Sequence, residues 1–262
     1  FLNRISIQSK LILMLVVCTV LAAAIVGGIA YQTGRNSLRL SAINRLTEIL
    51  ESQKRTLTEE VTDLRSALIT YTYGTMTQDA LREFAAGFDQ LGNATITPEM
   101  DKGIDDYYKF FAKETEKYSG TRLDVDALLP TSNAERYLQA TYTAKLPSDD
   151  SAIAMDDEKD GSAWSAANAK YQSFFREIVT RFAFEDALIL DARGNVVYSA
   201  YKNTDLGTNI LTGPYNSSKL SDAYQEAMSS NTADRVVFTD FELYQPAEMA
   251  PTAWMVAPIP PT

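Results

Sequence analysis

The longest unbroken pattern in the chain is an apolar one. From Leu11 to Tyr31 the sequence reads LILMLVVCTVLAAAIVGGIAY, with no charged residue. A helix that crosses the hydrocarbon core of a bilayer needs roughly 20 such residues, so the run predicts a transmembrane helix. Arg4 and Lys10 precede it, while Arg35, Arg39 and Arg45 follow it, so flanking positive charge does not orient the span. A cleaved secretory signal is the rival reading, but its apolar core is usually about 7 to 15 residues. Ala23, Ala24, Gly27 and Gly28 place small-xxx-small pairs on the helix, a spacing that permits close helix packing and weakly supports dimerisation.

Beyond Gly34 the period changes to that of one helix face. Leu46, Leu50, Gln53, Leu57, Val61, Leu64, Leu68 and Tyr71 recur at spacings of three and four, and no proline interrupts residues 36–73. The membrane helix is therefore expected to extend outward as one rod. Ala80, Leu81, Phe84, Ala85, Phe88 and Leu91 predict a second helix. A third opens with Thr97 as cap, Pro98 at the first helical position and Glu99 in the first turn, and Gly120 supplies its stop. Residues 134–143 predict a short helix, 145–161 an acidic loop, and 162–182 another amphipathic helix whose apolar set is Trp164, Tyr171, Phe174, Phe175, Ile178 and Val179.

After Phe184 the pattern becomes that of strands. ALIL (187–190) and VVYSAY (196–201) are rich in branched and aromatic residues, and the Asp191–Asn195 segment between them carries turn chemistry, so they predict a hairpin. A helix over 218–228 follows, then strands at VVFTDF (236–241) and TAWMVA (252–257). Strand, strand, helix, strand, strand reads as an antiparallel sheet with one helical layer, and the fold class expected for the whole chain is α+β.

Composition narrows the chemistry. The chain has no histidine, and its single cysteine, Cys18, lies within the apolar run. Ser-His-Asp and Cys-His nucleophiles, histidine pH switches and the usual zinc ligand sets are excluded. A net charge of −10, from 34 acidic and 24 basic side chains, argues against nucleic acid as a partner. Asp156, Glu158, Asp160 and Gly161 imitate the opening of a calcium loop, but Ala167 stands where the bidentate Glu belongs, so an ordinary solvated loop is expected. These readings call for no cofactor.

One stretch carries a likeness beyond pattern. NAKYQSFFREIVTRFAFEDALILDARGNVVYSAYKNTDLGTNILTGPY (168–215) resembles the periplasmic sensor region shared by bacterial transmembrane chemoreceptors and adenylate or guanylate cyclases, a region of the Cache group with a PAS-like fold. LPTSNAERYLQATY (129–142) and DFELYQPA (240–247) resemble further blocks of that family, and DxxGxVVYS and DLGTNxxxGPY are the most specific pieces. The chain departs from the family at Gln172, where a histidine is common, and at Glu185, where an aromatic residue is common.

The resemblance implies a cytoplasmic stub (1–10), a transmembrane helix (11–31), an extracytoplasmic helical region (32–182) and a PAS-like Cache domain (183–262) whose sheet lacks its last strand. It implies a sensory region in the inner or plasma membrane, not itself an enzyme, regulating a nucleotide cyclase, with a methyl-accepting chemoreceptor as the alternative. A module that only dimerises and a secreted binding protein are the competing readings. The expected partners are the lipid bilayer, a second copy in a homodimer, and a small cationic or amino-acid-like ligand held between the sheet and its loops. Its candidate contacts are Tyr198, Tyr201, Asp205, Asn209, Tyr215, Asp240 and Tyr244, where aromatic faces and carboxylates suit such a ligand. Each has a structural alternative: the tyrosines as strand core, Asp205 and Asn209 as turn formers, Asp240 as a strand end.

Overall fold

A computed structural model describes residues 6–146, 148–230, 232 and 234–260. Arg4, which flanks the apolar run, and Pro261 and Thr262 lie outside the described residues. The fold is α+β: long helices, one of them N-terminal and apolar, with a few short antiparallel strands. Contacts divide the chain between Leu64 and Arg65.

In the first unit, helix α1 begins at Ile7, and it continues unbroken to Tyr73 in the second. No proline occurs before Pro98, so nothing removes a ladder hydrogen bond along its length. The apolar stretch from Leu11 to Tyr31 is exposed throughout, and the helix is long and apolar enough to cross a membrane. Thr19 turns its hydroxyl back onto the carbonyls of Leu15 and Val16, at 3.0 and 2.9 Å. Those bonds satisfy the hydroxyl of the one strongly polar side chain of the segment, as a lipid surrounding would require. Further along, Leu46, Leu50, Leu57 and Val61 are also exposed.

The second unit is built on α2 (Thr75–Leu91) and α7 (Ala163–Phe182). Phe84 and Trp164 meet at 5.3 Å between ring centroids, Phe84 and Tyr198 at 4.6 Å, and Tyr142 and Trp164 at 4.8 Å. Tyr71, in the last turn of α1, lies edge-on to Phe174 and Phe182 of α7. Helix α3 (Pro98–Ser119) has the expected Thr97 cap and left-handed Gly120 stop. A short α4 (Val125–Leu128) follows, then α5 (Asn133–Leu138), which opens on a Ser132–Glu135 capping box and widens into a π-helical turn over Gln139–Thr143. The acidic loop is broken by α6 (Asp149–Ala154).

The strands are β1 (Leu188–Leu190), β2 (Val196–Ser199), β3 (Val237–Phe238), β4 (Glu242–Tyr244), β5 (Ala250–Thr252) and β6 (Met255–Val256), with helix α8 (Lys219–Met228) between β2 and β3. They pair antiparallel as β1–β2, β3–β6 and β4–β5. The expected single sheet is thus three separate two-stranded ladders among the described residues. The run 236–241 forms only two strand residues, and 252–257 divides between β5 and β6. Ladders this short leave most backbone groups to side chains and turns. Leu188 and Leu190 of β1 and Val256 of β6 nonetheless share one apolar cluster with Leu220 and Tyr224 of α8.

Helices α2 and α7 approach closely because Gly87 has no side chain. A Cβ there would lie 2.8 Å from the Trp164 backbone. Gly87→Ala is expected to lower the stability of the unit by about 1–3 kcal/mol despite its better helix propensity. Urea denaturation followed by tryptophan fluorescence reads this, and an unshifted midpoint would show the contact to be loose.

Candidate functional site

From Ser199, the last residue of β2, the chain runs to Thr208 without helix or further ladder strand, yet most of it is buried. A buried loop must find partners for its backbone groups or lose their hydration without return. Here distant side chains supply them. The Asp186 carboxylate accepts from the amides of Ala187, Ala200 and Tyr201 at 2.6, 2.9 and 3.2 Å, and from the Ser199 hydroxyl at 2.7 Å and Asn203 Nδ2 at 3.3 Å. Gln139, in the π-helical turn, donates to the carbonyls of Thr204 and Leu206 at 3.0 and 3.1 Å and accepts from the Tyr108 hydroxyl at 2.7 Å. Gln172 of α7 donates to the Ala200 carbonyl at 3.0 Å. Gly207 has φ +84°, and a Cβ there would lie 2.9 Å from Glu135 Cα, so the strap is pressed against α5.

At one end of the strap sits Lys202, 1% exposed. Its ammonium donates to Gln172 Oε1 at 2.7 Å, the Ser199 carbonyl at 2.9 Å and the Ala200 carbonyl at 3.3 Å, and lies 4.7 Å from the centroid of the Tyr198 ring. Burial holds it down to about 7, against the opposing pull of Asp186. At the other end Asp205, 2% exposed, accepts through Oδ2 from the Tyr244 hydroxyl at 3.0 Å. Its Oδ1 is buried with no hydrogen-bond partner among the described residues. Burial pushes this carboxyl up to about 7, and the charge of Asp186 adds to the shift.

The structure brings Asp205, Tyr215 and Tyr244 together. The two rings lie 5.9 Å apart, and the Tyr215 hydroxyl donates to Thr204 Oγ1 at 3.1 Å. Tyr198 belongs to the Lys202 end and donates to Gln172 Oε1 at 2.7 Å. Tyr201 is half-buried against the main core. Asn209 is a turn former: its Oδ1 accepts from the amides of Leu211 and Thr212, and its Nδ2 donates to Arg193 O and Asn195 Oδ1. Asp240 is exposed and accepts from the following amide of Phe241. Lys202, Asp186, Gln172, Gln139 and Tyr108 were not among the sequence candidates. Two had a signal: Gln172 is itself a departure from the resembled pattern, and Asp186 directly follows the other departure, Glu185.

The chain matches no protein-family model, no curated protein and no solved structure. The site's chemistry therefore rests on its geometry. No cluster of acidic or thiol side chains suited to a metal occurs among the described residues. The acids of the calcium-like loop are engaged locally: Asp156 pairs with Arg176, Glu158 with Lys145, and Asp160 accepts from the Ser162 amide and the Tyr137 hydroxyl. What the strap offers is a pair of buried proton-exchanging groups and one carboxyl oxygen in want of a donor.

Asp186 and its neighbour Glu185 should differ sharply on truncation. Asp186→Ala strands several donors and is expected to cost about 2–4 kcal/mol, whereas exposed Glu185→Ala should stay within about 0.5 kcal/mol. Denaturant midpoints of the two variants decide it, and equal effects would remove Asp186 as the strap's anchor.

Proposed function

We propose that the chain is the membrane-anchored extracytoplasmic sensory region of a bacterial signalling receptor of the Cache, PAS-like type, coupled to a nucleotide cyclase and not itself an enzyme. The observation that carries this reading is the continuity of α1: one helix holds an uncharged membrane-length run and, in its last turn, sets Tyr71 against aromatic residues of α7. A rod of that kind suits the transfer of a displacement between a folded unit and a membrane. The exposed stripe of Leu46, Leu50, Leu57 and Val61 supports a homodimer, since a second copy of the same helix covers it. Asp205, Tyr215 and Tyr244 support a small cationic ligand, because an ammonium group supplies the donor that Asp205 Oδ1 lacks. The PAS-like reading is supported by the shared cluster beneath β1 and β6. Each of those strands pairs on one side only among the described residues, which leaves one edge of each without a ladder partner.

Topology and ligand are tested separately. In a Cys18→Ser background, Ser52→Cys is expected to react with a membrane-impermeant maleimide in intact cells, and the chain should stay in the membrane through carbonate extraction. Labelling only after lysis would sink the extracytoplasmic assignment. Thermal shifts of the chain in detergent, across free amino acids and primary amines, are expected to reveal a stabilising ligand whose effect is lost in Asp205→Asn. A ligand that stabilises both forms equally would place its site elsewhere.

A further inference from the structure

The strap holds two buried side chains of opposite charge type, three positions apart, and among the described residues neither makes an ion pair. The acceptors around the Lys202 ammonium are all neutral: an amide oxygen of Gln172 and the carbonyls of Ser199 and Ala200. The charged groups facing it are Asp186, ahead of β1, Arg176 of α7 and Asp156, after α6. Asp205 is faced by Asp186 and by Tyr244 of β4, and its charge also reaches Tyr215, as does that of Glu135 of α5. Only one of the two Asp205 oxygens has a donor. In its ionised form each group is therefore held out of water without an ion pair, and the bonds that tie the strap to its surroundings run through these same atoms. Lys202 ties it to Gln172 on α7, and Asp205 ties it to Tyr244 on β4.

We propose that the strap is a proton-operated latch: the charge states of Lys202 and Asp205 set how firmly the segment from Ser199 to Thr208 is held between α7 and β4. The inference does not rest on the sensory reading, since a chain that binds nothing would behave in the same way.

The direction of the response follows from linkage. Opening the strap returns both groups to water, where a carboxyl titrates near 3.9 and a lysine near 10.4, roughly. Closed, both titrate at about 7. From about pH 4 to 7 the closed strap keeps a proton on Asp205 that the open strap has lost, so rising pH weakens closure. From about pH 7 to 10 the open strap binds a proton on Lys202 that the closed strap has shed, so rising pH strengthens closure. The latch is loosest near neutrality and tightens on both sides, by up to about tenfold in the closing equilibrium per pH unit. Burial raises Asp186 as well, so Asp186 is left intact in every variant, and the contrast between variants is diagnostic.

The test is amide hydrogen exchange of the whole chain in detergent micelles from about pH 5 to 9, with each rate divided by the intrinsic rate at that pH. The reporters are Ala200, Leu206 and Gly207, whose amides bond to Asp186 Oδ1, Asn203 O and Val196 O. Wild-type protection is expected to pass through a minimum near neutrality. Lys202→Met should keep the acid limb and lose the alkaline one, and Asp205→Asn should keep the alkaline limb and shrink the acid one to the share that Asp186 contributes. A flat or one-sided wild-type profile overturns the latch, and that measurement stands alone should either variant fail to fold. An alkaline limb that survives Lys202→Met, or an acid limb undiminished in Asp205→Asn, also overturns it. So does an identical minimum in the amides of α2, because the unit would then be unfolding as a whole.

Discussion

A buried backbone must have its amides and carbonyls met, and the segment from Ser199 to Thr208 imposes that demand on the rest of the α+β unit. The polar residues of the helices are placed to answer it: Gln172 from α7, Gln139 from the π-helical turn, and Tyr108 from α3 acting through Gln139. The π-helical turn has a physical role in this arrangement. An extra residue in the turn re-aims the side chains that follow α5, and Gln139 and Thr143 both bond to the strap. Removing any one partner exposes the cost of the others, because a half-satisfied buried network is worse than an apolar core.

The same packing explains why the strap's two ionisable groups are displaced from their ordinary behaviour. Neither shift needs an unusual neighbour. Burial is the largest cause for both Lys202 and Asp205, and the one strong charge they share, Asp186, is itself absorbed by strap amides and the Ser199 hydroxyl. A lysine suits its position because a point-like ammonium can sit among amide oxygens above a tyrosine ring and shed its proton. A guanidinium sheds its proton far less readily.

The long elements were legible in the sequence because their apolar residues recur along one face, and because caps such as Thr97 and stops such as Gly120 act locally. The sheet was less so. The run from Val236 to Phe241 has strand composition, but Phe238 and Phe241 are exposed and only Val237–Phe238 pairs, so composition overstated the ladder. The apolar members of the candidate site were found in part: Tyr215 and Tyr244 do meet Asp205. Its polar frame was not. YKNTDLGTN reads as a solvated turn by any local rule, and what buries it lies far off in sequence, at Gln139 and Gln172. The same distance hid the difference between Glu185 and Asp186, adjacent acids of which one is exposed and the other anchors the strap.

Helix α7 is where these features converge. Tyr71, from the last turn of α1, rests against its Phe174 and Phe182, while its Gln172 holds Lys202 and the Ala200 carbonyl. Proximity alone is not coupling. A packed helix, however, moves as one body, and its aromatic residues cannot follow the end of α1 without Gln172 moving with them. In the proposed receptor, a ligand or proton that favours one arrangement of the strap would favour one position of α7, and through Tyr71 one position of the rod. That bias is limited to the difference in free energy with which the strap holds the two states. In that receptor the buried groups at Lys202 and Asp205, each held without an ion pair among the described residues, are where such a difference would be stored.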